Sequence, residues 1–299
     1  MNFKIISLIF ASLLLSCGDA VVNLDRETYS PKIVIDGYVL PHHKVDNIRI
    51  SRNFPLNEEI NVLDFPLKDA DVSITDLNAG KIYPLTFNFG QLGFEYRKSD
   101  LEIMEGYSYR LSVSAEIDGK KLTASSTTTV PLDGFHIDRS VSQLDPLKYR
   151  EKDENGNLRF FTISFKHSAS TDFYALSIVA QEASMETFIE DNIFGLKKKD
   201  LDEDFLNRLK YEARWAQTSR SADEITTIKI LWLDTWFYGQ YRVILYAGDN
   251  NFKQYFLTHN NVQDIDGNLY EPKFFIDGDG IGVFGSALAD TVHFKVLGD

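Results

Sequence analysis

The chain has 299 residues, 13% aromatic side chains and a formal charge of −13 at pH 7. That acidity excludes nucleic acid and anionic lipid headgroups as expected partners, because phosphate binding needs a basic footprint. A single cysteine excludes an internal disulfide.

The chain opens on an apolar stretch, "SLIFASLLLSCGDA", that ends at that cysteine, Cys17. Its uncharged core runs from Ile5 to Leu15, whereas a bilayer-spanning helix needs about 20 residues. Residues 1–16 therefore read as a signal peptide. Leu14-Leu15-Ser16-Cys17 looks like a bacterial lipobox, in which the cysteine sulfur takes a diacylglycerol and the freed amine is acylated. The alternative is an ordinary secretory signal with a cysteine near its end. Lipidation accounts for the lone thiol, and two or more acyl chains anchor stably where one does not. Removing residues 1–16 deletes Lys4 and moves the formal charge from −13 to −14. Residues 17–30 then form a lipidated tether, its thirteen residues after Cys17 reaching roughly 45 Å when extended.

From residue 31 the pattern is that of strands. "KIVIDGYVL" (Lys32–Leu40), "NIRISRNF" (Asn47–Phe54) and "ADVSITDL" (Ala70–Leu77) alternate apolar with polar side chains. "GYSYRLSVSAEIDGKKLTASSTTTV" (Gly106–Val130) reads as a hairpin turning at Asp118-Gly119. Residues 31–131 are expected to form an N-terminal β-sandwich. Pro131-Leu132-Asp133-Gly134 marks a break, and residues 135–299 a second β-rich domain. In that domain, Asn155-Gly156 is a further hairpin signal and "DFYALSIVAQEA" (Asp172–Ala183) a strand. "KKKDLDEDFLNRLKYEARWAQ" (Lys197–Gln217) is rich in helix formers, with Leu201, Phe205 and Leu209 at i, i+4 and i+8. A helix over residues 200–213 is expected, with the lysine triplet on a solvated face. The expected fold is mainly β: two β-sandwich (Ig-like) modules with a short helical insertion in the second.

"ITTIKILWLDTWFYGQYRVILYAG" (Ile225–Gly248) is the most hydrophobic part of the mature chain. In one unbroken strand, Ile230, Trp232, Asp234, Trp236 and Tyr238 would share a face. Trp232, Trp236 and Tyr238 are thus candidates for a ligand- or partner-binding aromatic surface, such as a sugar-stacking platform. The competing reading places them in the sandwich core.

Enzyme and metal chemistry find little purchase. There is no G-x-S-x-G elbow, and no catalytic constellation emerges. "DIDGNLYE" (Asp264–Glu271) and "DGDG" (Asp277–Gly280) offer oxygen ligands suited to calcium at Asp264, Asp266, Asp277 and Asp279. Neither matches the twelve-residue calcium loop, and Asx-Gly turns produce the same letters for conformational reasons. His42 and His43 are adjacent, and on a strand would point to opposite sides. His136, His167, His259 and His293 lack metal-ligand spacing. The glycine phrase Gly280-Ile281-Gly282-Val283-Phe284-Gly285 has too little chain after it for a dinucleotide fold. It reads instead as a place where backbones crowd. Apart from the covalent lipid on Cys17 and a possible calcium ion, no cofactor is expected.

The phrases Tyr255-Phe256-Leu257, Glu271-Pro272 and Gly280–Gly285 resemble the closing region of a Bacteroidota outer-membrane lipoprotein family, domain of unknown function 4249. "PKIVIDGYV" and "LDTWFYGQYRVIL" are similar to other family phrases, so the resemblance spans nearly the whole chain after the signal. It is weakest around Lys197–Gln217. The family supplies no catalytic residue to carry over. The resemblance implies a lipid-anchored accessory or binding protein without enzymatic activity, acting beside a TonB-dependent transporter barrel in nutrient uptake. The alternative is a structural or assembly factor of the envelope with no ligand of its own. The expected location is the outer membrane, with the cell surface favoured over the periplasmic face.

Overall fold

The computed structural model describes residues 29–55, 59–218, 225–259 and 273–298. The signal, Cys17, Asp264, Asp266 and the Glu271-Pro272 phrase lie outside them. The chain divides into Met1–Ser30 and Pro31–Asp299, and the second unit is described here.

The first strands follow the alternation of the sequence: β1 (Ile33–Val39), β2 (Arg49–Arg52), β3 (Asp71–Asp76), β4 (Lys81–Pro84), β5 (Thr86–Asn88) and β6 (Gly93–Glu95). They are followed by β7 (Ser108–Ile117), β8 (Lys120–Thr129), β9 (His136–Ile137), β10 (Leu147–Lys148), β11 (Thr162–Lys166) and β12 (Phe173–Ala180). Next come helix α1 (Glu203–Leu209), β13 (Tyr211–Gln217), β14 (Ile225–Lys229), β15 (Gly239–Gly248), helix α2 (Asn250–His259), β16 (Asp277–Gly278) and β17 (Gly280–Leu297). The protein is mainly β, as its alternating runs require.

The β7–β8 hairpin turns where expected. Asp118 and Gly119 both have positive φ, 53° and 73°, the backbone of a two-residue turn whose twist matches that of the strands. The two strands pair from Ser108↔Thr129 to Ile117↔Lys120. With β3, β4 and the short β16 they form a five-stranded sheet, order β16-β8-β7-β3-β4. The largest sheet runs β13-β12-β15-β17-β1-β2, with β10 joining β17. Strands β14-β11-β9 form a third sheet, and β5-β6 a small hairpin.

The segment at 131–135 links two β regions that share strands. β1 pairs in parallel with β17, from Ile33↔Gly280 to Val39↔Ser286, and β16 pairs with β8. One hydrophobic cluster includes Ile35 and Val113 from the first region together with Phe165, Leu245 and Phe294 from the second. The reason is the length of β17, whose early half pairs with β1 and whose later half pairs with β15. Residues 31–131 and 135–299 therefore lie in one compact unit.

Two local expectations are corrected. The helix expected over residues 200–213 spans only Glu203–Leu209. The Asp202 carboxylate caps it by accepting from the Phe205 amide at 2.7 Å. From Tyr211 the same helix-forming letters become β13, because Phe173–Val179 offer them a seven-residue antiparallel ladder. Tertiary pairing thus outweighs a weak local propensity. The second correction is the stretch 230–238, which is not one strand. β14 stops at Lys229, and the Asp234 carboxylate accepts from the Leu231 amide at 2.9 Å. That contact closes a 3-10 turn over Trp232–Asp234.

Candidate functional site

The turn at Asp234 scatters the three aromatic candidates. Trp232 is 5% exposed, donates from Nε1 to the Arg159 carbonyl at 2.9 Å, and packs against Tyr149 and Phe161. It is a core residue. Trp236 is half-buried and stacks on exposed Phe194, centroids 5.2 Å apart. Tyr238 is also half-buried, and its amide bonds to the Thr187 carbonyl at 2.7 Å. No single aromatic surface unites them.

Aromatic side chains linked by ring contacts lie elsewhere, on the outward face of the large sheet. The register sets Trp215 of β13, Ala175 of β12, Tyr246 of β15 and Ala289 of β17 in one row. A parallel row holds Tyr211, Val179, Arg242 and His293. Side chains of one parity lie on one side of a sheet, so both rows share this face. The opposite parity, Tyr174, Leu176, Val243 and Leu245, fills the core. Trp215 is 52% and Tyr211 58% exposed. Trp215 lies against Phe173, centroids 6.3 Å apart and planes 25° from parallel. Phe173 in turn meets Phe252 and Phe256 of α2, and Phe252 meets Tyr246 and Tyr38. A hollow of about 370 Å³ opens on this face beside His43, Ile244, Tyr246, Asp290 and Thr291.

Helix α2 is fixed over one end of the face by polar contacts. The Asp249 carboxylate caps it by accepting from the Phe252 amide at 2.9 Å, and also accepts from the Thr128 hydroxyl at 2.6 Å and the Ser286 amide at 3.2 Å. Burial pushes the Asp249 carboxyl above the usual carboxylate range, although these hydrogen bonds oppose the rise. Asn251 donates from Nδ2 to the Thr127 and Phe284 carbonyls, each at 2.8 Å. Four contacts to β8 and β17 thereby set the position of Phe252.

Other groups are less suited to chemistry. His167 meets the Thr226 hydroxyl at 2.7 Å, a spacing a nucleophile and base would need, but its ring is packed between Phe165 and Tyr174. Neither residue lines the 370 Å³ hollow or the wider one on the five-stranded sheet. A wide hollow of about 700 Å³ on the five-stranded sheet is lined by hydroxyls, including Ser73, Ser112 and Ser125, with Arg110, Asp71 and Asp277. Among the described residues no three His, Cys, Asp or Glu side chains gather to hold a metal. Asp277 is exposed on β16, and the Asp279 carboxylate accepts from the Thr123 amide at 3.2 Å. His42 and His43 lie in a turn after β1, where His42 reaches Glu105 at 3.2 Å. No described helix is long and apolar enough to cross a membrane.

The fold and this surface define a mainly β protein whose largest sheet keeps one aromatic face in solvent. The chain belongs to the family described as "Domain of unknown function (DUF4249)", whose family model matches residues 20–288. No curated protein matches it. Among solved structures it is similar to the FN1-FN3 domains of chicken CNTN1, with 12% identity over 73% of this chain and 60% of that one, TM-score 0.21. It is also similar to a 1.5-MDa bacterial ice-binding adhesin, with 10% identity over 89% and 64%, TM-score 0.20. A third is the chicken interferon gamma receptor alpha chain, with 9% identity over 73% and 88%, TM-score 0.19. The chain spans less than two thirds of the first two. At such scores these likenesses carry no argument about this protein.

Proposed function

We propose that this protein is a lipid-anchored, non-enzymatic accessory subunit of the outer membrane that docks a partner barrel, of the TonB-dependent transporter kind, in nutrient uptake. The observation that carries the reading is the solvent-facing pair Trp215 and Tyr211 on β13, the first backed by Phe173, which meets Phe252 and Phe256. Buried aromatic anchors supply most of the energy of protein–protein contacts. Two large rings left half in water on a rigid sheet are suited to that use. In this reading Cys17 carries the lipid, residues 18–30 form the tether, and the body reaches its partner beside the membrane, on the cell surface. The lipobox at Cys17 and the family membership support the anchor and the Bacteroidota setting.

The test is purification of the tagged full-length chain in mild detergent. A TonB-dependent barrel in stoichiometric amount is the expected result, together with a diacylglycerol-modified Cys17 by mass spectrometry. Recovery of envelope-assembly proteins in place of a barrel would favour a structural role, and a free thiol on a chain released into the medium would remove the anchor.

A further inference from the structure

Arg242 sits near the middle of the outward face, between Gln240 and Ile244 along β15. The register places Val179 on one side of it and His293 on the other. Ser177, Thr291 and Lys295 are the next residues of the same parity on those flanking strands. None of these neighbours is acidic. The Arg242 side chain makes no hydrogen bond or ion pair with any described residue, and its Nε is fully covered without a partner. Tyr246, four residues along β15, has the same parity and lies on the same face.

This arrangement is unusual on two counts. Native chains satisfy the great majority of covered polar groups, so the unpaired Nε is an exception, and because Arg242 as a whole is half-buried, its terminal nitrogens and not the covered Nε are what a partner from outside can reach. The chain carries a formal charge of −13, yet Arg242, His293 and Lys295 stand together on this face, and their register neighbours of the same parity named above include no acid. A guanidinium presents its donors as a planar fork that matches a carboxylate in two parallel hydrogen bonds. Arginines beside aromatic rings near the centre of an interface are also the residues most often found to anchor it.

We propose that Arg242 is the anchor for a carboxylate of the docked partner. An acidic peptide segment lies across β15, one Asp or Glu paired with Arg242 and its apolar side chains against Trp215, Tyr211 and Tyr246. This inference rests on the docking reading above and names the chemistry the docking face selects.

The probe is a fluorescein-labelled hexaglutamate peptide titrated into the full-length protein in detergent, followed by anisotropy at low and high salt. Binding is expected at low salt, with loss of about tenfold or more in affinity in Arg242→Gln and an intermediate loss in Arg242→Lys, which keeps the charge and removes the fork. Hexalysine is expected not to bind. Equal affinity of hexaglutamate for wild type and Arg242→Gln, or no binding at all, overturns the proposal. Melting curves check that Arg242→Gln folds. If it does not, the exposed pair His293→Ser and Lys295→Ser is used, and an unchanged affinity there counts against the cationic face. Partner capture separates the two readings. Arg242→Gln retaining a barrel that Trp215→Ala loses would refute the carboxylate anchor and leave the docking face standing. Retention by both would refute the docking face itself.

Discussion

Gly282 of β17 passes Ile35 of β1 so closely that a Cβ on the glycine would stand 2.0 Å from the Ile35 carbonyl oxygen. Its φ of 108° lies where side-chain-bearing residues are strained. This contact lies within the parallel β1–β17 pairing that ties the first strand to the last. Gly282→Ala therefore combines backbone strain with a clash against backbone, and is expected to destabilise the fold by about 3–5 kcal/mol. A urea unfolding series measures it, and a loss under about 1 kcal/mol would mean that the two strands do not run together as described.

The part of the outward face covered by α2 makes a different demand from the part left open. Phe173 is fully buried while Trp215, stacked on it, is half in solvent. Phe173→Ala is expected to cost about 3–5 kcal/mol, as large-to-small core changes do. Trp215→Ala should cost less than half of that and leave the far-ultraviolet circular dichroism unchanged. Equal losses would place Trp215 in the core and remove the reason for regarding it as a contact residue.

Arg214 holds the turn that scattered the aromatic candidates. Its guanidinium donates to the Asp234 carboxylate at 2.6 Å, where the acid side chain is 2% exposed. Burial pushes the Asp234 carboxyl above its usual range in spite of that ion pair. Removing the partner leaves a covered charge uncompensated, so Arg214→Ala is expected to lose about 2–4 kcal/mol near neutral pH. The loss should shrink as pH falls, because protonation of Asp234 relieves the buried charge. A loss constant from pH 7 down to about pH 4 would contradict this assignment.

Asp249 offers the second pH test. Its folded carboxyl titrates above the unfolded value because of burial, so the folded state binds the proton more tightly. Stability contributed this way is present below the unfolded value and is lost as pH rises through the folded one. Asp249→Asn keeps a capping oxygen for α2 and removes the titration. Relative to wild type, the variant should gain stability as pH rises from about 4 to about 7. Parallel stability curves for the two proteins would show that Asp249 is not the titrating group.

The parts of this fold legible in the sequence are those set by local rules. The alternation in β1 and β3 and the Asp118-Gly119 turn needed no distant partner to be read. Residues 211–213, the end of the expected helix, misled because Glu212 and Ala213 are of types common in helices. The exposure pattern of Tyr211, Ala213, Trp215 and Gln217 is period two all the same, and that alternation was the available signal. The aromatic face was missed with it. Helix α2 also had its mark, with Asp249 as cap and Phe252 and Phe256 one turn apart. The pairing of β1 with β17, more than two hundred residues away, had no local signature. Neither did the isolation of Arg242, which depends on which strands lie beside β15.

The most direct measurement of the docking account is photo-crosslinking in intact cells from a benzoyl-phenylalanine placed at position 215. The control position is Ile82, which is 64% exposed on β4 of the other large sheet. The account predicts a crosslink from position 215 to a TonB-dependent barrel and none from position 82. A barrel captured equally from both positions, or only from position 82, would contradict it.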